Sequence, residues 1–298
     1  MSASSLSSLV PPPVITDWTK LPLELTSSIL LRLGAVEILE NAQKACTQWR
    51  RISKDPSMWR RIDMRELGNR GTGDLDFDIL CRHAVDRSQG GLLEINLGVF
   101  ATDELITYIA DRSRNLRSLG LRMFYTCVTK EKFGNAIAKL PFLETFEVSH
   151  SGIRLDLKSI GYACPLLKTL KLNSSGLSAY IPSIIKCDDD DYALAIAETM
   201  PQLHHLQLLG DRITDNGLKA ILVGCPQLEH LDLRKCFNIN LAGNLEKQCS
   251  EKKDFRRPDD STADYPYDLT IFKYDSYSDD DDYYNVDFLD DTEVYYDD

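Results

Sequence analysis

Asp74, Asp76 and Asp78 alternate in the stretch DLDFD, the spacing with which a calcium-binding loop opens. Such a loop needs glycine at its sixth position and a bidentate glutamate at its twelfth, where this chain has Ile79 and Val85. The stretch reads instead as the start of a helix running through ILCRHAV. His204 and His205 fall in a strand motif, where successive side chains point to opposite faces and cannot close on one metal. No HExxH or GxSxG occurs, and GNRGTG at 68–73 lacks the lysine and spacing of a phosphate loop. KKDFRRP at 252–258 is a weak nuclear-import signal and reads better as a solvated linker. The eight cysteines include no CxxC pair and lie mostly in apolar surroundings, which fits reduced core thiols. No acid, base and nucleophile assemble, so the expectation is a non-catalytic protein with no metal and no cofactor.

What remains is the elements. A chain of 298 residues suggests about two domains. Its formal charge of −12 is unevenly spread. Residues 254–298 hold fifteen Asp and Glu293 against Arg256, Arg257 and Lys273, so nearly all the acidity sits at the carboxyl end. Dense like charge opposes compaction, and 250–298 reads as a disordered acidic, Tyr-rich tail. Residues 1–16, rich in Ser and Pro, also read as disordered. They lack the charged and apolar regions of a secretion signal. No stretch approaches the ~18 apolar residues of a membrane span. The expectation is a cytoplasmic or nuclear protein without membrane contact.

From residue 90 onward one pattern recurs: LLEINL, LRSLGL, LETFEV, LKTLKL, LHHLQL and LEHLDL, starting at 92, 116, 143, 167, 203 and 228. A period near 25 residues is the signature of leucine-rich repeats, each supplying a strand and a helical return. The fold class expected is an α/β repeat solenoid with about six repeats over 90–249 and a short parallel sheet. The longest gap contains CDDDD, where Asp188–Asp191 suit the start of a helix. Residues 65–89 read as a helical linker.

The N-terminal unit, 17–64, has another character. About 45 residues cannot bury much of their own surface. Yet this unit carries Trp18, Trp49 and Trp59, and in LPLELTSSILLRLG the apolar residues fall on more than one face of a helix. One face can pack internally; the other needs a foreign subunit. LPLELTSSILLRL, ACTQWRRI and DPSMWRRI together resemble an F-box, the motif that docks the Skp-type adaptor of cullin–RING ubiquitin ligases. With the repeats and the acidic tail, the whole chain resembles a plant F-box/leucine-rich-repeat protein. That resemblance implies adaptor contact by Leu21, Pro22, Ile29 and Leu30, with Leu39, Cys46 and Trp49 at later positions of the motif. Gly34 departs from it, standing where many F-boxes have proline.

The resemblance also implies a role: substrate recognition in an SCF-type ligase, or adaptor-bound scaffolding without ubiquitin transfer. In each repeat strand the leucines point inward, so the residues between them face the concave side. The candidates for holding a protein target are Thr169, Lys171, His205, Gln207, His230, Asp232 and Arg234. Glu94, Asn96, Ser118, Arg122, Thr145 and Glu147 continue the same face. Its charge is mixed, without the basic stripe that a nucleic-acid groove requires.

Overall fold

The computed structural model describes residues 21–65, 76–122, 128–149, 155–173 and 190–265. Trp18, residues 1–16, Asp188, Asp189 and residues 266–298 lie outside them, as do the expectations attached to those positions.

The chain opens with short helices. Helix α1 (Leu23–Leu30) starts behind Pro22 and buries Thr26 and Leu30. A bent helical run follows, with α2 (Ala35–Glu37), a π turn (Ile38–Ala42) and α3 (Gln43–Ala45). Gly34 precedes it at φ −70°, ψ 160°, a conformation open to any residue. It does not end α1 through a left-handed φ, and no looseness follows from its lacking a side chain. Helix α4 (Thr47–Ile52) is capped by the Cys46 thiol, which accepts from Trp49 N–H, while Gln48 Nε2 donates to Leu21 O across to α1. A 3-10 turn (Pro56–Trp59) then buries Trp59, whose Nε1–H donates 2.8 Å to Ser53 O.

Eight parallel strands follow in one sheet, in sequence order: β1 (Arg61–Met64), β2 (Glu94–Leu97), β3 (Ser118–Arg122), β4 (Thr145–Ser149), β5 (Thr169–Asn173), β6 (His205–Leu209), β7 (His230–Asp232) and β8 (Asp254–Arg256). The six middle strands sit on the six motifs expected from the sequence. The two edges differ from expectation. β1 lies inside the N-terminal unit and pairs with β2, Ile62 opposite Ile95. β8 lies inside the segment read as disordered tail and pairs with β7, Leu231 opposite Phe255. Neither carries the leucine pattern in full: β1 buries Ile62 and Met64 in its place, and β8 sets a half-buried Phe255 there.

Helices α5 (Phe77–Arg87), α6 (Asp103–Arg112), α7 (Lys130–Ile137), α8 (Leu157–Ala163), α9 (Asp191–Thr199), α10 (Asp215–Gly224) and α11 (Asn244–Ser250) return the chain between strands. Right-handed crossovers put such helices on one side of a parallel sheet. The core is the seam between the layers. Ile95, Leu119, Phe146, Leu170, Leu206 and Leu231 form one register row in it, all at most 2% exposed. Proline sets where α8, α9 and α10 stop. Cys164, Met200 and Cys225 each precede one and cap a helix in extended-to-bridge backbone near φ −120°. A residue before proline is pushed out of the helical region, so the chain turns there into the next strand. The Cys164 and Cys225 thiols donate to Leu140 O and Met200 O of the preceding repeat.

Candidate interaction surfaces

Two surfaces carry the sequence-derived candidates. The first is the N-terminal helical unit. Leu23, Leu25 and Leu31 are 44%, 54% and 59% exposed, and Pro22 is exposed beside them. Leu25 and Ile29 stand one helical turn apart, on the side of α1 away from Leu30, with Ile29 half-buried. Leu21 and Trp49 are also half-buried, Trp49 packing against the core. Leu30 and Leu39 depart from expectation. Both are buried, Leu30 completely, so they support the unit from within and offer a partner no surface. The reason is the α1–α4 packing, which takes the Thr26–Leu30 side of the helix. The exposed Leu23, Leu25 and Leu31 are not among the contact positions that the resemblance implies; only packing brings them out.

Behind this unit, Arg87 of α5 fastens it to the repeats. Its guanidinium donates to Ser53 O and to Gln43 Oε1 and lies 5.4 Å from the Trp59 ring. Burial holds the Arg87 pKa below its ordinary value. Of the region expected to be a helical linker, the described part that forms α5 is thereby packed against the N-terminal unit.

The second surface is the open, helix-free face of the sheet. Register places its residues in rows. The first row runs Glu94, Ser118, Thr145, Thr169, His205, His230 and Asp254. Next to it run Asn96, Gly120, Glu147, Lys171, Gln207, Asp232 and Arg256. In the first row His205 and His230 stack, ring centroids 3.9 Å apart and planes within 4°. Burial, then the neighbouring His230, lowers the His205 pKa. In the second row Lys171 Nζ lies 3.6 Å from Glu147, and Gln207 Nε2 donates 2.9 Å to Asp232. Thr169, Lys171, His205, Gln207, His230 and Asp232 thus share one face as expected.

Arg234 does not join them as an open residue. It is 3% exposed, with Nε and Nη2 forked onto the Asp232 carboxylate and Nη1 donating to Ser261 O and Asp264. The residues covering it come from the segment after β8, which the sequence marks only as acidic. A third row, Arg122, Ser149, Asn173 and Leu209, follows the register of β3 to β6, and its last three members are buried.

Among the described residues no three His, Cys, Asp or Glu gather as metal ligands, and no helix is long and apolar enough to cross a membrane. The cysteines described are free thiols.

Residues 18–65 match the F-box-like family. The chain is 60% identical over 264 residues to F-box/LRR-repeat protein 21 of Arabidopsis thaliana, spanning 84% of each chain. It is 53% identical over 251 residues to F-box protein SKIP19 of the same plant, covering 84% of this chain and 80% of that one. F-box/LRR-repeat protein 9, also from Arabidopsis thaliana, is 50% identical over 236 residues, 92% of its length.

Proposed function

Because the chain belongs to the plant F-box/leucine-rich-repeat proteins, we propose that it is a non-catalytic substrate-recognition subunit of an SCF-type cullin–RING ubiquitin ligase. The helical unit around α1 binds a Skp-type adaptor, and the open face of the sheet holds the protein target. The observation that carries the reading is the outward set Leu23, Leu25 and Leu31 on a unit whose other large apolar residues are buried or half-buried. Removing such a patch from water is the usual driving force of a docking surface.

The fusion of the two surfaces supports the same role. β1 belongs to the stretch that matches the F-box and is hydrogen-bonded into the repeat sheet. Target and adaptor are then held at a fixed separation by secondary structure. A receptor of this kind contributes proximity and orientation, while the bond to ubiquitin is made by the other subunits. The work belongs to the cytosol or the nucleus.

Leu25→Asp with Leu31→Asp tests the docking face. Both side chains are exposed, so the variant keeps its thermal transition while capture of a purified Skp-type adaptor is lost, as expected for interface residues worth about 2 kcal/mol or more each. Leu30→Ala is the contrasting variant: it opens a cavity and lowers stability by about 2–5 kcal/mol. Full capture by a folded Leu25→Asp, Leu31→Asp chain would overturn the assignment. A reconstituted ubiquitination assay with the intact chain separates ligase receptor from adaptor-bound scaffold.

A further inference from the structure

The end of the described chain lies on the face assigned to the target. After β8 the chain turns back, with Pro258 O accepting from Lys235 N–H and turns closing between Arg257 and Asp260 and between Thr262 and Tyr265. Ser261 and Asp264 meet Arg234 at the end of β7. Tyr265 then reaches Ser149 at the end of β4, its hydroxyl donating 3.2 Å to Ser149 Oγ. Three strand spacings, roughly 14 Å, separate β7 from β4. Tied at Arg234 and at Ser149, the strap spans the register row of Asn173 and Leu209, which is buried although it faces away from the helices.

The contacts under the strap are those of a built site. Ser149 Oγ accepts from Tyr265 and, at 3.1 Å, from Asn173 Nδ2, and it faces Glu147 Oε1 at 3.4 Å. Asn173 is 2% exposed, and its Oδ1 is buried without a hydrogen-bond partner. Arg234 is forked onto Asp232 through Nε and Nη2, so only its Nη1 edge is given to the strap. The Arg234 hydrogen bond holds the Asp264 carboxyl below the usual carboxylate range. What the site reads is a carboxylate followed directly by a phenol.

We propose that the open face carries a binding site for an acidic, tyrosine-containing peptide, formed by Ser149, Asn173 and Arg234, which the chain fills with its own Asp264–Tyr265. A target presenting the Asp-Tyr chemistry enters by displacing the strap. The inference rests on the reading of this face as the target surface and adds to it the class of peptide recognised and an internal competitor.

The competitor makes the test direct. The probe is a fluorescein-labelled peptide copying residues 258–265, titrated by fluorescence anisotropy against the full chain. With the strap seated nine-tenths of the time, the apparent affinity for the probe falls about tenfold. The full-length Asp264→Asn, Tyr265→Phe variant should therefore bind the probe about tenfold more tightly than the unmodified chain. A probe carrying the same two substitutions should bind neither protein. Equal binding to both chains, or no binding to the variant, overturns the proposal. Adaptor capture by the same preparations is expected to be unchanged. Its loss in the unmodified chain would count against the receptor reading alone, so the two failures are distinguishable. A thermal transition within a few degrees of the unmodified chain shows that the variant has kept its fold.

Discussion

His205 and His230 show how much the register of a sheet can impose on single residues. They are 25 positions apart in the chain and in contact in the structure because Leu206 and Leu231 align as core neighbours. Burial and the neighbours His230, His204 and Lys171 lower the His205 pKa, with Glu229 opposing them. In the window below the ordinary histidine value the unfolded chain thus binds more protons than the native one, so stability rises with pH. This contribution is complete above about pH 6.5 and is lost as pH falls through the depressed folded value. Urea midpoints measured at pH 7.5 and pH 5.5 should show the acidic sample less stable, and His205→Phe should narrow that difference. An unchanged difference would mean that His205 is not the group responsible.

At the scale of elements, the repeats are fastened to one another by carboxylates at helix starts. Asp103, at the first turn of α6, accepts from both the N–H and the hydroxyl of Thr129, which precedes α7. Asp190 does the same to Thr214 ahead of α10, at 2.8 Å and 2.6 Å. The acidic run was expected to cap its own helix; Asp190 does stand at the N-cap of α9, but it makes no cap hydrogen bond there. Its oxygens go to the next repeat, where they satisfy a backbone donor that α10 leaves open. Gly217 makes room for this, since a Cβ there would run into the Asp190 carboxylate. Asp190→Ala should cost about 1–3 kcal/mol in a denaturant titration, the penalty of an unsatisfied part-buried donor. A loss below a few tenths of a kcal/mol would show that solvent replaces the carboxylate freely.

Among the described residues one sheet runs from the N-terminal helical unit to the strap. Eight strands at ~4.8 Å span roughly 34 Å, against about 24 Å for the six expected. Five buried thiols are distributed along this body, at Cys81, Cys164, Cys225, Cys236 and Cys249. Burial pushes the first two up to about 12, Cys225 and Cys249 to about 11, and raises Cys236 as well. Alkylation needs both access and thiolate, and these groups have little of either at neutral pH. Peptide mapping after iodoacetamide treatment of the native protein should find Cys46, half-buried, modified well before these five. Rapid modification of Cys164 or Cys225 would show that the repeats open independently rather than as one body.

The leucine period was enough to place the six middle strands, because an inward leucine every second residue can be satisfied only against a helical layer. Likewise, too many apolar residues in too short a unit predicted an outward apolar set at the amino end, where Leu23, Leu25 and Leu31 are exposed. The resemblance implied contact by Leu30 and passed over Leu25, and the packing of α1 on α4 buries the first and leaves the second exposed. The edge strands and the strap escaped for a related reason. β1 and β8 pair at near-repeat separations but lack the leucine pattern, while Asp264–Tyr265 is held by partners remote in the chain, Ser149 lying 116 residues from Tyr265, and local composition carries no record of such contacts. Periodicity determined the repeating body; tertiary closure alone decided what is exposed on it.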